Sequence, residues 1–407
     1  MKALLLENIS GVAASAFRSS GYEVETLPAA LDEHELAKKM GSVVVLGVRS
    51  KSQVTKLVVE AAHDLLAVGA FCIGTDKISL PACSDNGVAV FNDPHSNSRS
   101  VAELALGEII MLARRVFAAS TELHKGNWKK TATGSHEVRG LTLGIVGYGK
   151  IGSQLSDLSE ALGMRVIFSD VSDVLARGNA KRVPLDELLA TADVITLHID
   201  GRGGNKNFFN AEKLAAMKQG ACLLNMSRGA VVDLDALAEA LKSGKLGGAA
   251  VDVFPHEPEN KEPFKSPLQG VPNVILTPHI GGSTEEAQEN IGSFVSSRLI
   301  DYVRGGSTTL SVNLPHCQLE PTSGNHRLMH LHHNVPGMLL RINEVLAKRG
   351  INIERQVLDT RGQLGYAIYD INREFDRVIL EELRRIPHTI RVRVSEAVGE
   401  QATSLSA

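Results

Sequence analysis

The sequence predicts an α/β protein built on a doubly wound parallel sheet, with another α/β sheet before it and a small α+β module after it. Three observations carry that expectation. The apolar run Leu143–Val146 opens into Gly147-Tyr148-Gly149-Lys150-Ile151-Gly152, a glycine triplet set between a strand and a helix. From Leu141 to about Gly282, short apolar runs alternate with helical stretches at the spacing of a parallel sheet. Residues 325–395 then switch to the order βαββαβ, which is that of a ferredoxin-like fold.

Each element has its own signal. Ala3–Leu6, Val43–Val48, Leu66–Ala70 and Val88–Phe91 read as strands between helical stretches, with no phosphate loop of their own. One long helix is expected from about Ser98 to about Lys125. Gly147 permits the tight turn after Val146, Gly149 lets backbone approach a pyrophosphate, and Gly152 lets the next helix sit close on the strand. That helix carries Ile151, Leu155, Leu158 and Leu162 at helical spacing and closes at Gly163. The strand Arg165–Ser169 ends at Asp170, whose carboxylate would accept both ribose hydroxyls of NAD and repel the 2′-phosphate of NADP. Further strands follow at Val194–His198, Ala221–Asn225, Ala249–Phe254 and Val274–Thr277, then a helix from Thr284 to about Val303. Gly305–Thr309 and Glu320–Asn325 read as linkers. In the final module, strands at Arg327–His332, Ile351–Leu358, Leu364–Ile371 and Thr389–Val394 surround two helices, one striped by Met338, Ile342, Val345 and Leu346. The small, polar stretch 396–407 is expected to be disordered.

Composition narrows the function classes. The chain has 407 residues, 43% of them hydrophobic, enough for two or three packed domains. A net charge of −3 gives no electrostatic footprint for nucleic acid or anionic membrane. Charge enters too early in Met-Lys-Ala-Leu-Leu-Leu-Glu for a secretory leader, and no run approaches the roughly twenty apolar residues of a membrane span. The four cysteines are scattered without a Cys-x-x-Cys pair, which argues for reduced thiols in a cytoplasmic protein.

A nicotinamide enzyme also needs a group that exchanges the substrate's hydroxyl proton while hydride moves. Histidine suits that task near neutral pH. His34, His63 and His124 lie in polar helical stretches, whereas His279 follows a strand in Thr277-Pro278-His279-Ile280-Gly281-Gly282. Strand ends are where ligands bind in doubly wound sheets. Arg228, at another strand end in Asn225-Met226-Ser227-Arg228-Gly229, could clamp a carboxylate at two points or simply be a surface arginine. Glu257, in Phe254-Pro255-His256-Glu257-Pro258, could orient His279 and hold it protonated, or be an exposed loop charge.

Together the glycine fingerprint, Asn225–Asp233, Val251–Pro258 and Thr277–Gly282 resemble the motifs of the NAD-dependent D-2-hydroxyacid dehydrogenases. Within them the chain is similar to the D-3-phosphoglycerate dehydrogenases that carry a C-terminal ACT domain. The resemblance implies a Rossmann NAD domain at 97–282, a discontinuous flavodoxin-like substrate domain at 1–96 and 283–324, and an ACT regulatory domain at 325–395. It implies that Arg228 binds the carboxylate and keto oxygen, that His279 is the general acid/base, and that Glu257 tunes it. Cofactor contacts fall by the same resemblance on residues 147–152, Asp170, Ser227, Arg228, Asp252, His279, Gly281 and Gly282, with no metal.

Substrate contacts implied by the resemblance are Arg49, Ser50 and Lys51, an anion-binding turn, together with Asn97 and Lys130. Asn97 could equally be a plain helix cap. Two departures stand out: Pro28 replaces a lysine found in some relatives, and His198-Ile199-Asp200 replaces a His-x-Pro sequence beside the cofactor. In the ACT-like module His332, Asn334 and Asn352 match contacts to serine, an end-product effector bound between subunits of a homo-oligomer, by family a tetramer. A metal on His330, His332 and His333 is disfavoured because neighbouring strand residues point to opposite faces. The expected reaction is NAD-dependent oxidation of D-3-phosphoglycerate, with 2-oxoglutarate reduction as a companion activity. The alternatives are another D-2-hydroxy acid (glycerate, lactate or 2-hydroxyglutarate) and a non-catalytic NAD sensor of the same fold.

Overall fold

The computed structural model describes residues 1–258, 262–320, 326–374 and 376–395. The stretch 396–407, expected to be disordered, and residues 321–325 of the second expected linker lie outside the described residues. The chain divides into two compact units, Met1–Pro94 with the described part of Gln288–Ala407, and His95–Ala287.

The first unit begins with β1 (Lys2–Leu5), β2 (Glu23–Thr26), β3 (Val43–Val48), β4 (Ala67–Ala70) and β5 (Ala89–Asn92). They form a parallel sheet in the order β2-β1-β3-β4-β5, the flavodoxin-like arrangement. Both faces are covered. Ala3, Leu5 and Val45 pack with Val295 and Leu299 of the helix Glu285–Gly305, while Leu4, Leu6, Leu46 and Val48 join a core on the other side. That two-sided burial explains why β1, β3, β4 and β5 read as continuous apolar runs, whereas the edge strand β2, Glu-Val-Glu-Thr with no buried residue, gives no such run.

The second unit holds β6 (Thr142–Val146), β7 (Arg165–Ser169), β8 (Lys181–Arg182), β9 (Val194–Leu197), β10 (Cys222–Asn225), β11 (Gly248–Val251) and β12 (Val274–Leu276). All pairings are parallel, in the order β12-β11-β10-β9-β6-β7-β8. The order reverses between β6 and β9, so the glycine loop after β6 sits at the switch point where ligands bind. β8 has no apolar signal because it is two exposed basic residues. The expected single helix over 98–125 is two helices, Ser98–Ala113 and Val116–His124, separated by Arg115 at φ +53°. The first helix buries Val101, Ala105, Ile109 and Leu112, whereas the second buries nothing, so no packing carries the helical register across the break.

Back in the first unit, β13 (His326–His333), β14 (Ile353–Arg361), β15 (Leu364–Ile371) and β16 (Thr389–Ser395) form an antiparallel sheet, β14-β15-β13-β16. One face, with Leu328, Ala367 and Tyr369, is covered by the helices Met338–Lys348 and Arg377–Arg384. The other face sends Met329, Leu331, Tyr366 and Ile368 into the core of the N-terminal sheet. All four cysteines are free thiols. Among the described residues no helix is long and apolar enough to cross a membrane.

Candidate active site

The glycine loop is constrained where it meets protein and open where a ligand would lie. Gly147 stands at φ +92°, and a Cβ there would sit 2.5 Å from the His198 carbonyl oxygen. A Cβ on Gly152 would meet the Gly147 carbonyl oxygen at 2.5 Å, so only glycine lets the helix Lys150–Ala161 start this close to the strand. The Cβ position of Gly149 has no atom within 4 Å, and no side chain caps the helix start. Its backbone amides face an open approach suited to a pyrophosphate. Asp170 closes the loop, accepting from the Tyr148 amide at 2.7 Å and the Ser172 amide at 2.8 Å. The carboxylate keeps further lone pairs for hydroxyls. The Tyr148 ring is buried, stacked on Phe168 at 3.8 Å and bonded to Ser156 at 2.9 Å, so Tyr148 offers a ligand only its backbone. Lys150 is exposed at the helix start and Ile151 half-buried beside it. The residues present fit a dinucleotide.

The proton-handling group is assembled at the ends of β11 and β12. Asp252 follows β11 and is 3% exposed. Its Oδ1 accepts from the Thr277 hydroxyl at 2.6 Å and the Ile280 amide at 2.8 Å, and its Oδ2 from the Gly281 amide at 2.8 Å. This carboxylate therefore folds the loop that carries His279. His279 itself adopts φ +55°, a strained conformation for a side-chain-bearing residue and one concentrated at functional sites. Its Nδ1 lies 2.8 Å from Glu257 Oε2, while Glu257 Oε1 accepts from the Phe254 amide at 3.1 Å. The hydrogen bond to Glu257 lifts the His279 pKa above its ordinary value despite partial burial, and the charges of Glu257 and Asp252 add to the effect. For Glu257 burial opposes the charge, but the bonds from His279 and Phe254 and the nearby Arg228 hold the carboxyl below its usual range.

Arg228 is brought to this pair by its neighbour. A Cβ on Gly229 would fall 1.9 Å from the Phe254 carbonyl carbon, so backbone packs on backbone and Arg228 borders the loop that carries Glu257. Asn225, fully buried, fixes the turn by accepting from the Ser227 hydroxyl at 2.7 Å and donating to the Arg228 carbonyl at 3.2 Å. The Arg228 guanidinium donates to the Ser227 carbonyl at 2.8 Å.

Asn97 precedes the helix Ser98–Ala113 but makes no capping bond, against the plain-cap alternative. Its amide instead packs over Gly282, where a Cβ would meet Asn97 Nδ2 at 2.2 Å, and its Oδ1 is buried without a partner among the described residues. Lys130 is exposed in the loop after the helix Val116–His124, next to Trp128. In the other unit, Arg49, Ser50 and Lys51 form a turn after β3, and Pro28 lies exposed past β2. The His198-Ile199-Asp200 departure has a local solution. Asp200 pairs with the Arg202 guanidinium, which holds its carboxyl below the usual range, and accepts from Asn205 at 2.9 Å. The His198 ring bonds the Thr196 hydroxyl at 3.0 Å, and burial pushes its pKa down to about 4, leaving a neutral imidazole.

In the antiparallel module, His332 is buried with Nδ1 3.2 Å from Nδ1 of the equally buried His330, whose Nε2 lies 3.2 Å from the Thr389 hydroxyl. His333 points away and sets its ring edge-on to His388. Asn334 is exposed and donates to the Gly362 carbonyl at 3.4 Å. Asn352 is exposed too, its amide donating to Glu354 at 2.9 Å.

Two buried acidic residues lie outside the expected set. Glu108 is fully buried on the helix Ser98–Ala113, both oxygens unpartnered among the described residues. Burial, then the charge of Asp252, pushes its carboxyl up to about 8. The signal was present, since Val101, Ala105, Glu108 and Leu112 share the buried stripe. Glu7 binds the turn after β3 and carried no sequence signal.

Fold and site together define a nicotinamide-dependent dehydrogenase. Residues 106–281 match the family described as D-isomer specific 2-hydroxyacid dehydrogenase, NAD binding domain, and residues 328–391 match an AHAS small subunit-like ACT domain. The structure of D-2-hydroxyisocaproate dehydrogenase superposes with a TM-score of 0.70 at 28% identity, covering 77% of this chain and 100% of that one. D-3-phosphoglycerate dehydrogenase of Haemophilus influenzae is 48% identical over 397 residues, 97% of each chain. Its Escherichia coli counterpart is 46% identical over 97% of each, and D-3-phosphoglycerate dehydrogenase 2 of Saccharomyces cerevisiae is 43% identical over 97% of this chain and 87% of that one. The chain belongs to the D-3-phosphoglycerate dehydrogenase family, within the NAD-dependent D-2-hydroxyacid dehydrogenases.

Proposed function

We propose that this chain oxidises the C2 hydroxyl of D-3-phosphoglycerate to give 3-phosphohydroxypyruvate, the first step of serine synthesis, and that serine restrains it through the ACT domain. The observation that carries the chemistry is the His279–Glu257 pair. Glu257 accepts at Nδ1, which keeps the proton there and leaves Nε2 as the basic nitrogen. Nε2 takes the hydroxyl proton, and the adjacent carboxylate stabilises the imidazolium that results. Arg228 holds the carboxylate and the C2 oxygen by a two-point clamp. NAD, when bound on the loop 147–152 with Asp170, Ser227, Asp252, Gly281 and Gly282, supplies the hydride acceptor. Arg49, Ser50, Lys51 and Lys130 take the distal phosphate, and Asn97, whose buried oxygen has no partner among the described residues, supplies a further polar contact.

In this reading residues 1–96 and 283–324 bind substrate, 97–282 bind NAD, and 325–395 carry serine through His332, Asn334 and Asn352 at a subunit interface of a cytoplasmic homotetramer. A second dianionic acid, 2-oxoglutarate, is held by the same cations and reduced by hydride from NADH. The test is NADH oxidation by the purified protein with 3-phosphohydroxypyruvate, 2-oxoglutarate and pyruvate, each with and without serine. Serine-sensitive turnover fastest on the phosphorylated acid is expected. Tight NADH binding without turnover of any acid would replace this reading with the sensor alternative.

A further inference from the structure

Glu7 follows β1 and stands with Asn8 in the left-handed region, at φ +62° and +52°. Two strained residues in succession persist only where their surroundings over-determine them. Here the surroundings are the turn after β3. The buried Glu7 carboxylate accepts from three of its backbone amides: Oε1 from Ser52 at 2.8 Å and Arg49 at 3.3 Å, and Oε2 from Lys51 at 3.0 Å. The Glu7 carbonyl also accepts from the Arg49 guanidinium at 3.5 Å. Cys72 braces the turn from below, its thiol 3.6 Å from the Arg49 carbonyl and 3.2 Å from that of Gly74.

Convergent backbone amides of this kind are themselves an anion cradle. In this chain the cradle is already filled by a carboxylate of the protein. An incoming anion is therefore left to the side chains of Arg49 and Lys51, whose starting points the same carboxylate fixes.

We propose that Glu7 is a positioning residue that sets affinity for the distal anion of the substrate by holding the turn Arg49–Lys51 in place. It does so without touching substrate. The proposal rests on the reading that this turn receives that anion. Charge alone argues the opposite way, since removing a negative group beside two cations would tighten anion binding. Weakened binding in a neutral variant therefore reports geometry.

The experiment compares Glu7→Gln, Arg49→Ala and Lys51→Ala in the full chain, with 3-phosphohydroxypyruvate and with pyruvate, which has no distal anion. Glu7→Gln should raise KM for the phosphorylated acid about tenfold while kcat changes by less than about threefold, with pyruvate kinetics and NADH affinity unmoved. In Glu7→Gln/Lys51→Ala the two effects should fall short of additive. An unchanged or lowered KM in Glu7→Gln, alongside raised KM in the cation variants, would overturn the role of Glu7 and leave the turn's role standing. Unchanged KM in both cation variants would instead remove the turn from the substrate site, and the role of Glu7 with it. Should Glu7→Gln fail to fold, Glu7→Asp keeps the charge but withdraws it by one methylene, and the same rise in KM is required of it.

Discussion

His279 Nδ1 and Glu257 Oε2 are 2.8 Å apart, and the other Glu257 oxygen is anchored 3.1 Å from the Phe254 amide. The carboxylate thus has one oxygen for the backbone and one for the ring, which fixes the ring's orientation and its tautomer together. Asp252 does the complementary work on the backbone by gathering Thr277, Ile280 and Gly281. One carboxylate aims the imidazole and another shapes the loop that bears it.

The first consequence is a pH profile. The Glu257 bond raises the His279 pKa, so the neutral base needed for oxidation accumulates only as pH climbs through that raised value. In Glu257→Gln the pKa falls, and the ascending limb of kcat/KM for oxidation moves to lower pH. The descending limb of the reverse reaction moves the same way. Profiles in both directions decide the matter, and limbs that stay put in the variant would show that Glu257 does not tune the histidine.

His279→Ala removes the proton acceptor without touching the glycine loop. Turnover should drop by roughly 10²–10⁴-fold, the usual worth of general acid–base catalysis, while NADH affinity measured by fluorescence quenching stays near wild type. Retained turnover would take His279 out of the mechanism.

Much of this architecture is legible in the chain because its signals are local. The Gly147–Gly152 triplet needs one turn, one close approach and one open side, and those needs leave a spacing in the sequence. Strand ends at Arg228, Glu257 and His279 follow from counting apolar runs. What stayed hidden depends on contacts between distant positions or on departures from periodicity. Helicity breaks at Arg115 because burial stops there, although helical residues continue. Asp200 reads as a departure until Arg202 is seen to pair with it and Asn205 to donate to it. Glu7 is an ordinary acid after a strand until the turn at Arg49–Ser52 folds onto it.

Glu108 predicts a stability slope. Its folded-state pKa, about 8, stands above the ordinary 4.5 because burial disfavours the charge. The folded protein therefore holds a proton that the unfolded chain releases, and stability contributed by the neutral carboxyl is lost as pH rises from about 4.5 toward about 8. The loss is at most about 5 kcal/mol over that window. Glu108→Gln, neutral at every pH, should flatten the slope and be the more stable form at pH 8 in urea denaturation. Parallel pH dependences for the two proteins would show that Glu108 is ionised in the folded state.

Arg391 tests how the last module speaks to the first. Its guanidinium leaves β16 to donate to the carbonyls of Leu65 at 2.6 Å, His63 and Asn86 at 3.3 Å, and Gly87 at 3.4 Å, all at the rim of the N-terminal sheet. Arg393 reinforces the join, donating to the Val303 carbonyl at 2.6 Å while lying over the Tyr302 ring. Effector binding can change turnover only through contacts that differ between two states, and these arginines supply polar contacts in the connection, beside those of Tyr366 to Gly306 and Arg361 to Ser311. Arg391 pairs across the sheet with Leu331, next to His332, but its side chain reaches the N-terminal sheet, so Arg391→Ala removes none of the groups of His332, Asn334 or Asn352. Serine should therefore bind it with nearly wild-type affinity by calorimetry, yet inhibit turnover at least about fivefold less effectively. Full inhibition at wild-type serine concentrations would mean that the coupling does not run through Arg391 but through the remaining contacts, among them Met329, Leu331 and Ile368.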